Sequence, residues 1–222
     1  VLIIAHRGAS QAEPENSLAA FRTAVDIGAD GVELDVHATA DGRIVVHHDP
    51  VIDGHHIADT RFDVIRDQQL PNGEPVPTLQ EVLELLGPER RAFIEVKTLA
   101  PAHDAALLQV ITSAPAPDQC HVHSFDHRIV RRLIGACEGL VGGVLSSSYP
   151  VNPLLQLEQT GAQELWQSED LVDDELVAAV HAFESRIIAW TVDDPARLRE
   201  FADMGLDGIC TNTPDTARSV LT

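Results

Sequence analysis

Short apolar runs alternate with longer helix-period segments from one end of this chain to the other. Strand-like runs fall at 1–6, 31–37, 92–97, 119–124, 139–145, 162–166, 186–191 and 206–210. Helical spacing of apolar residues occupies 17–27, 78–86, 103–113, 126–136, 151–160, 173–184, 194–203 and 214–221. Such alternation requires strands that run parallel and are joined by helical crossovers, which is the α/β class. Eight of each predict a (β/α)8, or TIM, barrel, a fold typically built from about 250 residues. An open doubly wound sheet is the competing arrangement. Asn16 and Ser17 read as the cap of the first helix, and Asp173 and Asp174 as that of the sixth. A chain of 222 residues can bury one sizeable core, so a single domain over 1–222 is expected.

One segment breaks the rhythm. A short extra strand at 43–48 leads into residues 51–77, which carry Asp53-Gly54-His55-His56 and Pro71-Asn72-Gly73-Glu74-Pro75 before the next helix. This reads as a short inserted cap after the second strand, lying over one end of the barrel. Insertions of that length are more often functional than incidental.

Charge sits where buried strands should exclude it. Along Gly31–His37, Val32, Leu34 and Val36 share one face, while Glu33, Asp35 and His37 share the other. Along Phe93–Lys97, Phe93, Glu95 and Lys97 share a face opposite Ile94 and Val96. The aliphatic face of a barrel strand packs on helices, so Glu33, Asp35 and Glu95 must converge inside the barrel mouth. Like charges so placed cannot all stay ionised without compensation. Lys97, the only lysine beside fourteen arginines, supplies one charge, which is insufficient. A hard divalent cation bound through oxygen resolves the conflict, with Mg²⁺ or Ca²⁺ the natural choices. An isolated Glu-x-Asp usually marks the solvent face of an antiparallel strand, but two parallel strands with the same parity disfavour that reading. His6 and His48 end neighbouring strands and can serve as general acid and base near neutral pH. A lone histidine at a strand end is more often structural, and spacing by itself leaves that alternative open.

The balance of 35 Asp and Glu against 15 Lys and Arg gives a formal charge of −20. Nucleic acid is thereby disfavoured as a partner, and so is stable association with an anionic membrane. No apolar run is long enough to span a bilayer. Cys120, Cys137 and Cys210 are odd in number and lack a CxxC spacing, which reads as reduced, buried thiols in a cytoplasmic protein. The chain opens on Val1 rather than Met, so an upstream segment remains open, as does the oligomeric state. His121 and His123 read as ordinary surface or loop histidines, as do His55 and His56.

Taken in order, the motifs resemble the glycerophosphodiester phosphodiesterases. They are His6-Arg7-Gly8, Pro14-Glu15-Asn16-Ser17 with Phe21, and Gly28-Ala29-Asp30 leading to Glu33-Leu34-Asp35-Val36. His48-Asp49-Pro50, Pro77-Thr78-Leu79, Glu95-Val96-Lys97 and Ser124-Phe125 follow. Ala189-Trp190-Thr191-Val192, Gly205-Leu206-Asp207-Gly208-Ile209 and Thr211-Asn212-x-Pro214 complete the set. The resemblance implies a metal-dependent hydrolase that converts glycerophosphodiesters to sn-glycerol 3-phosphate and an alcohol. It implies Glu33, Asp35 and Glu95 as ligands of Mg²⁺ or Ca²⁺, and His6 and His48 as the acid–base pair. Arg7 and Lys97 would contact phosphate oxygens, and Trp190 would line the substrate wall. The family's histidine directly precedes Asp-Pro, which selects His48 over His47. Glu15 and Asn16 are expected to shape the first loop.

The departure from the pattern is the cap, which is usually longer and carries an Arg-Thr-Thr-like stretch. Substrate range is open on that account. Sphingomyelinase D and related lipid phosphodiesterases with phospholipase D-like activity share the reduced cap. Their hallmark disulfides are absent here, and they lack the His-Arg-Gly opening. A barrel that binds phosphodiesters without turnover is the non-enzymatic alternative.

Overall fold

A computed structural model describes residues 1–221 of the chain. Eight parallel strands form its frame: β1 (Leu2–His6), β2 (Gly31–Ala38), β3 (Arg91–Thr98), β4 (Cys120–Ser124), β5 (Val141–Ser146), β6 (Glu164–Ser168), β7 (Arg186–Trp190) and β8 (Gly208–Thr211). Each pairs with the next, and β1 pairs with both β2 and β8, so the sheet closes into a TIM barrel. The open doubly wound alternative is thereby excluded. Helices lie between the strands, and their ends follow local chemistry. Ser17 accepts from Ala20 N at the start of Leu18–Ile27, and Gly28 at φ 83° closes that helix in the left-handed region. Asp173 caps Asp174–Ala182 by accepting from Leu176 N. The segment at 151–160 is helical only over Leu155–Thr160.

Alternation divides every strand between two environments. Val32, Leu34, Val36, Ile94, Val96 and Val122 face outward onto Phe21, Leu79, Val82, Leu83, Leu107 and Ile111. Inside the barrel, Ile4, Phe93, Leu145, Trp166, Ile188 and Cys210 form an apolar layer. Trp166 fits because Gly143 faces it; a Cβ at that position would lie 2.9 Å from the indole Cδ1.

The extra strand is Ile44–Val46, antiparallel to β2. The segment beyond it is more ordered than an open loop. Val51–Ile52 and His55–His56 form a small hairpin, followed by a 3₁₀ turn at Ile57–Asp59 and a helix at Phe62–Arg66. Ile52, Ile57, Ile65, Leu70 and Val76 cluster there with Val45 around a small core of their own. Arg66 fastens this cap to the barrel with two 2.7 Å bonds to Glu81, and braces the cap internally with one of 2.9 Å to the Val76 carbonyl. Glu81 in turn closes a capping box with Thr78 at the start of Leu79–Leu86.

Candidate active site

The carboxyl-terminal ends of β1, β2, β3, β4 and β7 surround a cavity of about 190 Å³. His6, Arg7, Glu33, His48, Glu95, Lys97, His123 and Trp190 line it, and Leu145, Trp166 and Cys210 contribute apolar wall. His48 borders the cavity, whereas His47 is not among its lining residues. His37 Nε2 meets the His48 carbonyl at 3.1 Å, which fixes the backbone that presents His48.

Asp35 is the electrostatic centre. Its carboxylate is fully buried and meets Lys97 Nζ at 2.9 Å and Arg7 Nε at 3.1 Å. Asn16 completes it from both sides, donating to Oδ2 at 2.7 Å and accepting from the Asp35 backbone N at 3.2 Å. Asn16 does this from φ 57°, a left-handed position that asparagine tolerates. Ser17 is therefore the helix cap, and Asn16 holds the site. Lys97 also lies 2.7 Å from Glu95 Oε1. Arg7, at φ 55°, reaches Glu15 at 2.9 Å and donates its backbone N–H to Glu33 at 3.1 Å.

Glu33 has little such support. Burial, with Asp35 and Glu95 close by, pushes its carboxyl well above the ordinary range. Burial also raises Glu95, whereas Lys97 and Arg7 hold Asp35 low against burial, the largest influence on it. Ligating atoms of Glu33, Glu95 and His123 lie within 4.8 Å of one another. Glu33 Oε1, His123 Nδ1 and Trp190 Nε1 are buried without hydrogen-bond partners, and all three belong to residues around the cavity. A cation among the carboxylates and His123 would relieve their repulsion and give Glu33 Oε1 a partner, so the donor set fits a metal, whereas the Trp190 indole N–H only donates and suits an anionic group.

His121 and His123 correct the sequence reading. Both lie in β4, are buried, and share the inward parity of Glu33 and Asp35. His121 Nδ1 meets Glu164 Oε1 at 2.8 Å below the cavity, where Arg186 also reaches Glu164 at 2.9 Å. The pattern Cys-His-Val-His-Ser carried the signal, because Cys120 and Val122 take the outer face. Cys120 and Cys210 are buried, but Cys137 is only half-buried; all three are free thiols.

The two histidines differ in support. His6 Nδ1 lies 2.7 Å from Asn212 Oδ1, and its Nε2 is 3.9 Å from Glu33. Burial, assisted by Arg7, lowers its pKa below 6.5. His48 is more exposed, with Nδ1 2.8 Å from Asp49. Trp190 packs edge-to-face with Phe125 at 5.5 Å on the cavity rim.

The sequence profile of the Glycerophosphoryl diester phosphodiesterase family matches residues 6–216, spanning every barrel strand except the first residues of β1. The chain belongs to the glycerophosphoryl diester phosphodiesterase family. As a family member it is an enzyme, a phosphoric diester hydrolase acting on glycerophosphodiesters. A glycerophosphodiester phosphodiesterase of Caldanaerobacter subterraneus subsp. tengcongensis is 32% identical over 231 residues, covering 97% of this chain and 95% of its own. A glycerophosphodiester phosphodiesterase crystal structure from Parabacteroides distasonis superposes with a TM-score of 0.89 at 29% identity, covering 99% and 96% of the two chains. An Oleispira antarctica phosphodiesterase, solved in complex with the product sn-glycerol-3-phosphate, has the same fold at TM-score 0.90 and 23% identity, covering 100% and 96%.

Proposed function

We propose that this phosphodiesterase releases sn-glycerol 3-phosphate and an alcohol, using His6 and His48 as the acid–base pair and Glu33, Asp35 and Glu95 to hold Mg²⁺ or Ca²⁺. The observation that carries this reading is the gathering of both histidines, Glu33, Glu95, Arg7 and Lys97 around one cavity, with Asp35 buried behind Arg7 and Lys97. A divalent ion bound there would supply Lewis-acid neutralisation of the phosphodiester charge. Oxygen donors suit a hard ion, so Asp35 is assigned as third ligand ahead of His123.

The protein's own groups account for the rest. Arg7 and Lys97 turn from Asp35 toward phosphate oxygens and stabilise charge that grows in the transition state. His6, kept neutral by burial, takes the proton of the attacking hydroxyl through Nε2. That hydroxyl belongs to water, which gives sn-glycerol 3-phosphate directly, or to the substrate's glycerol 2-position, which gives a cyclic phosphate that water then opens; a 2-deoxy substrate separates the two routes. His48, with Nδ1 2.8 Å from Asp49, protonates the leaving alkoxide. Trp190 and Phe125 bound the wall against which the organic part of the substrate rests.

The test is release of sn-glycerol 3-phosphate from a panel of glycerophosphodiesters, with and without added Mg²⁺ or Ca²⁺. Turnover of lysophospholipids with none of the glycerophosphodiesters would instead select a lipid phosphodiesterase.

A further inference from the structure

His6 does not meet an isolated asparagine. Asn212 follows β8, and its side-chain amide is gripped at both ends. Its Nδ2 donates to Asp193 Oδ2 at 2.7 Å, and its Oδ1 accepts from Ser10 Oγ at 3.0 Å. Asp193 is itself anchored through Oδ1, which accepts the Asn212 backbone N–H at 2.8 Å and Thr211 Oγ1 at 2.9 Å. A carboxylate accepts only, so the amide cannot turn over without placing its oxygen against Asp193. Asn212 therefore offers His6 an acceptor at 2.7 Å and not a donor.

We propose that Asp193 and Asn212 are positioning residues that fix the Nδ1-protonated tautomer of His6 and leave its Nε2 lone pair open to the reacting atoms. The tautomer of an imidazole is set by the bond its other nitrogen makes. Neither residue needs to touch substrate. Asp193 acts on His6 across one intervening amide, from the loop after β7 to the end of β1. This rests on the assignment of His6 as the base, and the experiment separates the two.

The decisive variant is Asp193→Asn. Position 193 then carries an amide whose nitrogen faces the Asn212 nitrogen unless one of them turns. Turning the position 193 amide costs the bonds from the Asn212 backbone and Thr211. Turning Asn212 presents a donor to His6 Nδ1 and drives its proton to Nε2. The exchange Asp193→Asn with Asn212→Asp removes the conflict. The carboxylate at position 212 accepts from His6 and from the amide at position 193, whose oxygen still receives the backbone N–H and Thr211.

Two readouts are taken on the purified protein. The first is the His6 tautomer by ¹⁵N NMR of labelled histidine, with its signals assigned by their loss in His6→Ala. The second is kcat and KM for a glycerophosphodiester. Asp193→Asn is expected to shift the His6 proton toward Nε2 and lower kcat by roughly 10- to 100-fold, the span usual for residues orienting a functional histidine. KM should change less than threefold, on the order of 0.6 kcal/mol of binding. The double exchange should return the tautomer and most of kcat. An unchanged tautomer in Asp193→Asn, or a double variant no better than the single ones, overturns the relay. Near-normal kcat in His6→Ala overturns the role of His6 as base while the NMR result still decides the relay.

Discussion

The imidazole of His123 lies flat on the indole of Trp166, with ring centroids 4.2 Å apart and planes 15° from parallel. Trp166 is held in turn by a 3.2 Å bond to Glu164 and by edge contact with Phe93 at 5.3 Å. The carboxylate cluster therefore has a rigid nitrogen donor on one side, while Asp35 on the other is pinned by two cations. Which of the two completes the metal site decides which ion it prefers.

The first prediction concerns that choice. Chelation should abolish turnover, and Mg²⁺ or Ca²⁺ should restore it. By calorimetric titration, Glu33→Gln, Asp35→Asn and Glu95→Gln should each weaken Mg²⁺ binding more than His123→Ala does. Full activity in protein shown metal-free by elemental analysis would sink metal dependence. A larger loss in His123→Ala would make that histidine the third ligand and favour a softer ion such as Zn²⁺.

The acid–base pair makes a second prediction. His6→Ala and His48→Ala should each lower kcat by a hundredfold or more, on the order expected for proton-transfer groups, with metal affinity retained. His47→Ala should retain near-normal kcat. With His6 in its proposed role as neutral base, activity should also fall with acidity, rate being lost as pH drops through a pKa that burial has lowered below 6.5. A rate that rises over that interval contradicts the assignment.

Much of this site was legible before any coordinates. Alternation along β2 and β3 placed Glu33, Asp35, Glu95 and Lys97 on the inner face, because a strand has a period of two and a barrel strand buries its aliphatic side. Nearly every barrel strand and helix was legible for the same reason. His123 was missed although its parity was identical, since histidine is common on surfaces and carries no obligatory charge to mark it. Asn212 was visible only as part of a motif, because its link to His6 joins opposite ends of the chain. The cap core of Ile57 and Ile65 was hidden in a segment whose Gly, Pro and Asn residues speak first of turns.

Lys97 yields a third prediction. Its ammonium fits between Asp35 and Glu95 at 2.9 and 2.7 Å. A guanidinium is longer and planar, with its charge spread over a fork instead of held at a point, so Lys97→Arg is not conservative there. A large loss of kcat/KM is expected with the fold intact by circular dichroism. Wild-type kinetics would make Lys97 a structural counterion.

Acid stability offers a fourth. Burial holds His123 neutral down to about pH 3, whereas an unfolded histidine titrates near 6.5. The unfolded chain therefore binds the extra proton in that interval. The stabilisation from a neutral His123 is complete above 6.5 and is lost progressively as pH falls toward about 3. Urea midpoints of His123→Gln, measured in chelator, should fall less steeply from pH 7 to pH 5 than those of the wild type. Parallel profiles would show that His123 is not what titrates.

The cap supports a fifth. None of residues 51–77 borders the cavity, so the alcohol should be weakly discriminated. Glycerophosphocholine, glycerophosphoethanolamine and glycerophosphoglycerol are expected to differ in kcat/KM by less than about tenfold, or ~1.4 kcal/mol. Ile65→Ala, which hollows the cap core, should cost about 2–5 kcal/mol in stability while leaving that ranking intact. A head-group preference of several hundredfold would show that a loop reads the alcohol.

The apolar layer of Ile4, Phe93, Leu145, Trp166, Ile188 and Cys210 lies beneath the carboxylates, and the buried Glu164 and His121 pair sits there as well. The catalytic space is thus a blind well. Whatever is bound deepest must leave last. With Arg7 and Lys97 in their proposed role as phosphate contacts, the charged fragment would sit low and the alcohol above it toward the rim. Departure is then sequential, alcohol before anion. In steady-state experiments the anionic product should inhibit competitively against substrate, and the alcohol noncompetitively.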